Sequence, residues 1–156
     1  MLTLCQTTGY ALLALRELQS PGGTPTLARD IAERTGIPPS YLAKIIHRLG
    51  ETGLVQTKRG HKGGIVLARP PEQISLLQVS EAINPNDWKT ECLFGLTDCR
   101  QLGECPLHNY WHEVRHRLHQ DLAQTSLADL PKIPNPVTAE CPCPPPPGEA
   151  STKGLR

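Results

Sequence analysis

Cys92, Cys99, Cys105 and His108 stand close together, separated by six, five and two residues. As thiolates and a neutral imidazole, these four donors within 17 residues can converge on one metal centre. Soft thiolate ligands select iron–sulfur clusters, zinc or copper. A zinc-finger knuckle needs two cysteines with two residues between them, and no such pair occurs. Asp98 and Glu104 add negative charge near the thiolates, which opposes electron gain. Left unligated, exposed thiols would be prone to oxidation. His108 also begins a row with His112, His116 and His119, at steps of four, four and three on one helical face. Paired imidazoles at i, i+4 can bind zinc, nickel or copper, and such a row can equally be a solvated face. Cys5 stands alone, and Cys141-Pro142-Cys143 is tight for a chelate.

A second group of residues is cationic. Ser40, Tyr41, Lys44, His47 and Arg48 lie away from an apolar stripe formed by Leu42, Ile45, Ile46 and Leu49. That stripe obeys the i, i+3, i+4, i+7 rule and predicts a helix over Pro39–Glu51, with proline at the first helical position. Lys58, Arg59, His61 and Lys62 follow in a glycine-rich hairpin tip between predicted strands Leu54–Thr57 and Ile65–Ala68. Ahead of them, apolar spacings predict helices over Tyr10–Leu18 and Leu27–Arg34. Thr26 is the expected N-cap of the second, with Leu27 and Ile31 facing inward. Helix, tight turn, helix and basic hairpin form a winged helix-turn-helix pattern. Its third helix can enter a major groove, and its cationic wing can meet phosphates or a minor groove. The expected partner is a double-stranded DNA operator.

The remaining elements position the metal donors. Ser75-Leu76-Leu77-Gln78 is a capping box opening a helix over Leu76–Ile83, which Asn84-Pro85-Asn86 stops. Residues 87–104 show no period and form a loop carrying Cys92 and Cys99. A long helix follows over Pro106–Gln124, with Leu107, Trp111, Val114, Leu118 and Leu122 on one stripe suited to a partner helix. Reading a two-fold operator calls for a homodimer, and this stripe is the expected interface. Ser126–Leu130 closes the fold as a short capped helix. The expected architecture is mainly α with a small β-wing. Residues 1–70 form the DNA-binding domain, 71–90 a connecting helix and linker, 91–108 the cysteine loop, 106–130 the dimerisation and closing helices, and 131–156 a tail.

Composition fits this division. The net charge of +1 hides +5 in residues 1–70, from nine Lys/Arg and four Asp/Glu, and −4 in residues 71–156. Eight of the 16 prolines fall after residue 130, where few apolar residues occur, so that segment reads as a disordered or polyproline-like tail. No apolar run approaches the roughly 20 residues that span a bilayer. No secretory leader is visible, so a reducing cytoplasm is expected, which disfavours disulfides. No nucleophile with a paired base and no phosphate loop is present, so an enzyme is not expected.

Taken together, the chain resembles the small winged-helix regulators typified by IscR and NsrR, the Rrf2 family. The likeness spans about residues 2–130. It rests on Thr8-Gly9-Tyr10-Ala11-Leu12, Tyr41-Leu42-Ala43-Lys44-Ile45, Gly53-Leu54-Val55, Arg59–Gly64, Leu67-Ala68-Arg69-Pro70, the three-cysteine loop and Ser126–Leu130. The resemblance implies a homodimer, one iron–sulfur cluster per subunit, and DNA binding responsive to redox state, iron–sulfur status or nitric oxide. Cys92, Cys99 and Cys105 carry over as ligands. IscR-like members have a histidine three residues after the last cysteine and a tryptophan three later, matched here by His108 and Trp111. NsrR-like members take an aspartate from the partner's first helix, where this chain has Gly9. This favours the IscR-like branch and a 2Fe–2S cluster over 4Fe–4S. The six-residue first gap and the Gly-Gly-Ile wing depart from IscR-like members. Zinc or another metal ion is the alternative effector, and a cluster-free relative sensing a small molecule is the other.

Overall fold

The computed structural model describes residues 6–18, 20–58, 60, 63–85, 92 and 105–131. The cysteine-loop residue Cys99, the wing-tip residues Arg59, His61 and Lys62, and the proline-rich tail beyond residue 131 lie outside them.

Helix α1 runs over Gln6–Arg16 and begins well ahead of Tyr10. Thr8, a weak helix former, is fully buried there beside Ala11, Ala14 and Leu15, so packing overrides local propensity. The helix ends before Leu18, and its last bonds tighten to Glu17 N–H on Ala14 O and Leu18 N–H on Leu15 O. Helix α2 covers Ala28–Thr35 and stops at Gly36, whose φ of 70° lets its N–H reach Ala32 O at 2.8 Å.

Thr26 does not cap α2. Its N–H and C=O pair with Ile65 at 2.9 and 2.8 Å, and its hydroxyl donates to Glu17 O. Leu27 takes the N-cap position instead and is 39% exposed, so only Ile31 of the expected inward pair is buried. The helix begins at Ala28, one residue later than expected, which moves the N-cap position from Thr26 to Leu27.

Helix α3 spans Pro39–Glu51 as the spacing predicts, with Leu42, Ile45, Ile46 and Leu49 buried. Gly53 turns the chain at φ 69° into an antiparallel hairpin, β1 (Val55–Lys58) and β2 (Gly64–Leu67). Val55 faces Leu67 and Lys58 faces Gly64, a one-residue offset from the expected strand limits. At Gly64 an added Cβ would lie 2.9 Å from Pro25 Cβ and Thr26 O, so the wing's base sits directly against the segment before α2.

Helix α4 (Leu76–Ile83) carries the complete capping box, Gln78 N–H on Ser75 Oγ and Ser75 N–H on Gln78 Oε1. Helix α5 runs over His108–Gln124, starting after Leu107 rather than at Pro106. Ser126 and Asp129 then form a second capping box around a 3₁₀ helix at Leu127–Asp129, the short capped helix expected there. The chain returns to the start of α4 through Leu76 N–H on Thr125 O and Leu127 N–H on Ile74 O.

One core joins α1, α2, α3, the hairpin, Ile74, Val79, Ile83 and Leu127. It runs across the change of charge sign at residue 70. Leu76, Leu77 and Leu122 form a smaller cluster that anchors the far end of α5 on α4. The mainly helical fold with a two-stranded wing matches the expected class. Among the described residues, no helix is long and apolar enough to cross a membrane.

Candidate functional site

With the apolar stripe of α3 fixed in the core, three rows remain on that helix. At about 100° per residue, Ser40, Lys44, His47 and Glu51 point opposite the stripe. All four are exposed. Ala43 and Gly50 occupy one flank, where their small size leaves an open groove between α3 and the hairpin. Tyr41 and Arg48 occupy the other flank, on the line of Ile45.

Both flank residues also bond within the protein, although Arg48 stays exposed. Tyr41 is half-buried, stacks edge-on against Tyr10 with ring centroids 5.9 Å apart, and shares a hydrogen bond with the Thr7 hydroxyl. Arg48 Nη1 donates to Ile83 O at 2.8 Å, at the C-terminal end of α4. Both residues were grouped with the outward donors in the sequence. Their spacing of four and three from Ile45 is the signal that separates them from the outer row.

On the outer row, His47 Nε2 lies 3.6 Å from Glu51 Oε1, an exposed i, i+4 pair that is ionic only when the imidazole is protonated. Lys44 has no salt bridge among the described residues and presents an uncommitted charge at the middle of the helix. Lys58, also exposed, ends β1 at the root of the wing. The described part of the wing tip closes by Gly63 N–H on Gly60 O, with Gly60 at φ 107°. Cations therefore lie on α3 and on the strand next to it, the arrangement that follows a phosphate backbone.

Of the candidate metal donors, Cys92, Cys105 and His108 lie among the described residues. Cys92 is buried at 6% exposure on the chain that leaves α4. Cys105 and His108 share one turn, His108 N–H donating to Cys105 O at 3.0 Å, and His108 is the first residue of α5. Both are half-buried. Trp111, on the next turn, has a buried indole Nε1 with no hydrogen-bond partner among the described residues. No group of three or more metal-ligating side chains converges among the described residues, which exclude Cys99. Of the histidine row, His112, His116 and His119 are exposed, and His116 Nε2 is 3.0 Å from Gln120 Nε2. Along the apolar stripe of α5 only Leu122 is buried; Trp111 and Val114 are half-buried, while Leu107 and Leu118 are 40% and 38% exposed.

A helix-turn-helix with an outward cationic row and a two-stranded wing defines a winged-helix transcriptional regulator rather than an enzyme. The family model that matches, over residues 4–132, is Rrf2, described as an iron-dependent transcriptional regulator. The chain belongs to that family. The HTH-type transcriptional regulator IscR of Xenorhabdus nematophila is 35% identical over 125 residues, 79% of this chain and 75% of that protein. Among solved structures, T. potens IscR is 27% identical with a TM-score of 0.62, covering 82% of this chain and 85% of its own. CymR, the global cysteine regulator of B. subtilis, shares the fold at a TM-score of 0.69 and 24% identity, over 83% of this chain and 95% of that one. The fold and IscR-like kinship expected from the sequence are thereby established.

Proposed function

We propose that the protein is a homodimeric DNA-binding regulator whose operator binding is governed by an iron–sulfur cluster held by Cys92, Cys99, Cys105 and His108. The observation that carries this is the placement of Cys105 and His108 in one turn at the head of α5, with Cys92 buried on the chain leaving α4. Three thiolates and an imidazole are a soft donor set that suits a 2Fe–2S centre. Gly9, on the exposed side of α1, has no side chain to offer as an alternative fourth ligand. The indole N–H of Trp111, without a partner among the described residues, is a donor that a sulfur atom beside His108 can accept. When bound, such a cluster supplies a one-electron redox centre.

The chain's own residues do the rest. Ser40, Lys44 and His47 on α3, with Lys58, Arg59, His61 and Lys62 on the wing, meet DNA; Tyr41 and Arg48 border that face. Leu107, Trp111, Val114, Leu118 and Leu122 pair α5 with a second copy, which would cover its exposed leucines. A cluster on these four residues would join Cys92 and Cys99 to Cys105 and His108 at the head of α5, and its loss would remove that link and change the set of the two recognition helices against half-sites about 34 Å apart. The protein acts in the cytoplasm, where the operator is. Cys92→Ala, stripped of metal, is expected to differ in operator affinity or footprint from anaerobically loaded wild type at matched salt. Identical affinities and footprints would refute cluster control.

A further inference from the structure

The carbonyl of Ile83 sits at the C-terminal end of α4, where carbonyls lack intrahelical donors. The last such bond comes from Asn84 N–H to Ser80 O at 2.8 Å. Arg48 supplies a donor from another helix to the carbonyl of the last residue of α4, its Nη1 on Ile83 O at 2.8 Å. A cation is the suitable partner at this end of the helix dipole. Ile83 is itself 2% exposed and part of the core, so the bond joins two fixed points. The chain then passes through Asn84 and Pro85 toward Cys92. Arg48 thus reaches from the DNA-reading helix to the last residue of α4, the helix that precedes the cysteine loop in the chain.

We propose that Arg48 is a positioning residue that couples the recognition helix to the entrance of the cysteine loop, and that it is not a phosphate ligand. The coupling rests on the cluster-control reading above. A displacement of the end of α4 reaches α3 through this bond as well as through core contacts, and it acts on the flank beside Lys44 rather than on the buried stripe. The guanidinium suits the role because it is always charged and holds its fork geometry while bound.

The test uses Arg48→Met, which keeps the aliphatic stem and removes donor and charge, and Arg48→Lys, which keeps both. Operator affinity is measured against salt for cluster-loaded and metal-stripped protein. For Arg48→Met the slope of log K on log[salt] stays at the wild-type value, and the ratio of loaded to stripped affinities falls toward one. Arg48→Lys restores the ratio. A slope reduced by about 0.9 per helix would make Arg48 a phosphate contact and overturn the proposal. A wild-type ratio retained in Arg48→Met would overturn the coupling. A wild type with equal affinities in both states refutes cluster control and the coupling with it, while the slope of stripped Arg48→Met still decides whether Arg48 touches DNA. If circular dichroism shows that Arg48→Met loses helix, Arg48→Ala, which also removes donor and charge and is a better helix former, carries the same two readouts.

Discussion

Replacing Lys44 by alanine takes one exposed cation from the middle of the outer row of α3. The core is untouched, since Leu42, Ile45, Ile46 and Leu49 carry the packing. Alanine is the better helix former, so thermal stability should hold or rise slightly. A lysine that neutralises one phosphate contributes about 0.9 to the slope of log K against log[salt], and a two-fold complex loses about 1.8. Between about 50 and 200 mM salt, a change of about 0.6 log units, that difference amounts to roughly a tenfold change in relative affinity. The variant is therefore weakest relative to wild type at low salt, and its deficit shrinks about tenfold across the range. Fluorescence anisotropy with an operator duplex selected from random-sequence DNA, and with a non-specific duplex, measures both slopes. Equal slopes for variant and wild type would remove Lys44 from the phosphate-binding set. A loss confined to the operator at unchanged slope would make it a base contact instead.

Leu118→Glu sets a charge on the exposed row of α5. If that row is the interface, burial of one unpaired charge from each copy costs about 3 kcal/mol apiece and raises the dimer dissociation constant by about ten-thousandfold. Sedimentation would show monomer at micromolar concentration, and an unchanged assembly state would place the interface elsewhere. Ser75→Ala breaks the capping box of α4 and costs about 1 kcal/mol, read in urea unfolding; no change in midpoint would mean the cap contributes nothing. The Ser126 hydroxyl and backbone N–H, both on Asp129, hold its carboxyl below the usual aspartate range. This group's contribution is present above its unfolded pKa and is lost as pH falls through its lowered folded value, so the acid limb of the stability profile should weaken in Asp129→Asn. Superimposable profiles would remove the effect.

What local sequence encodes was legible. The limits of α3 follow from a complete apolar stripe with a proline at its start, and α4 from a capping box contained within four residues. The N-terminal part of α1 was hidden because Thr7, Thr8 and Gly9 are weak helix formers that only tertiary packing holds helical. The cap of α2 was misplaced by one residue, and Thr26 pairs instead with Ile65, which no local pattern reveals. At the DNA face, residue types were legible but their assignment to rows was incomplete. Tyr41 and Arg48 share polarity with Lys44 yet share their helical line with Ile45, so one packs on Tyr10 and the other on the end of α4. For the candidate metal donors, the sequence supplied types and spacing, and the structure adds that Cys105 and His108 share the turn that leads into α5.

Visible absorption of the anaerobically purified full chain, with iron and acid-labile sulfide analysis of the same sample, tests the account most directly. A brown protein with about two irons and two sulfides per chain, bleached by oxygen or lost in Cys92→Ala, is the predicted result. A colourless protein that carries zinc, or that takes up no iron and sulfide, would contradict it.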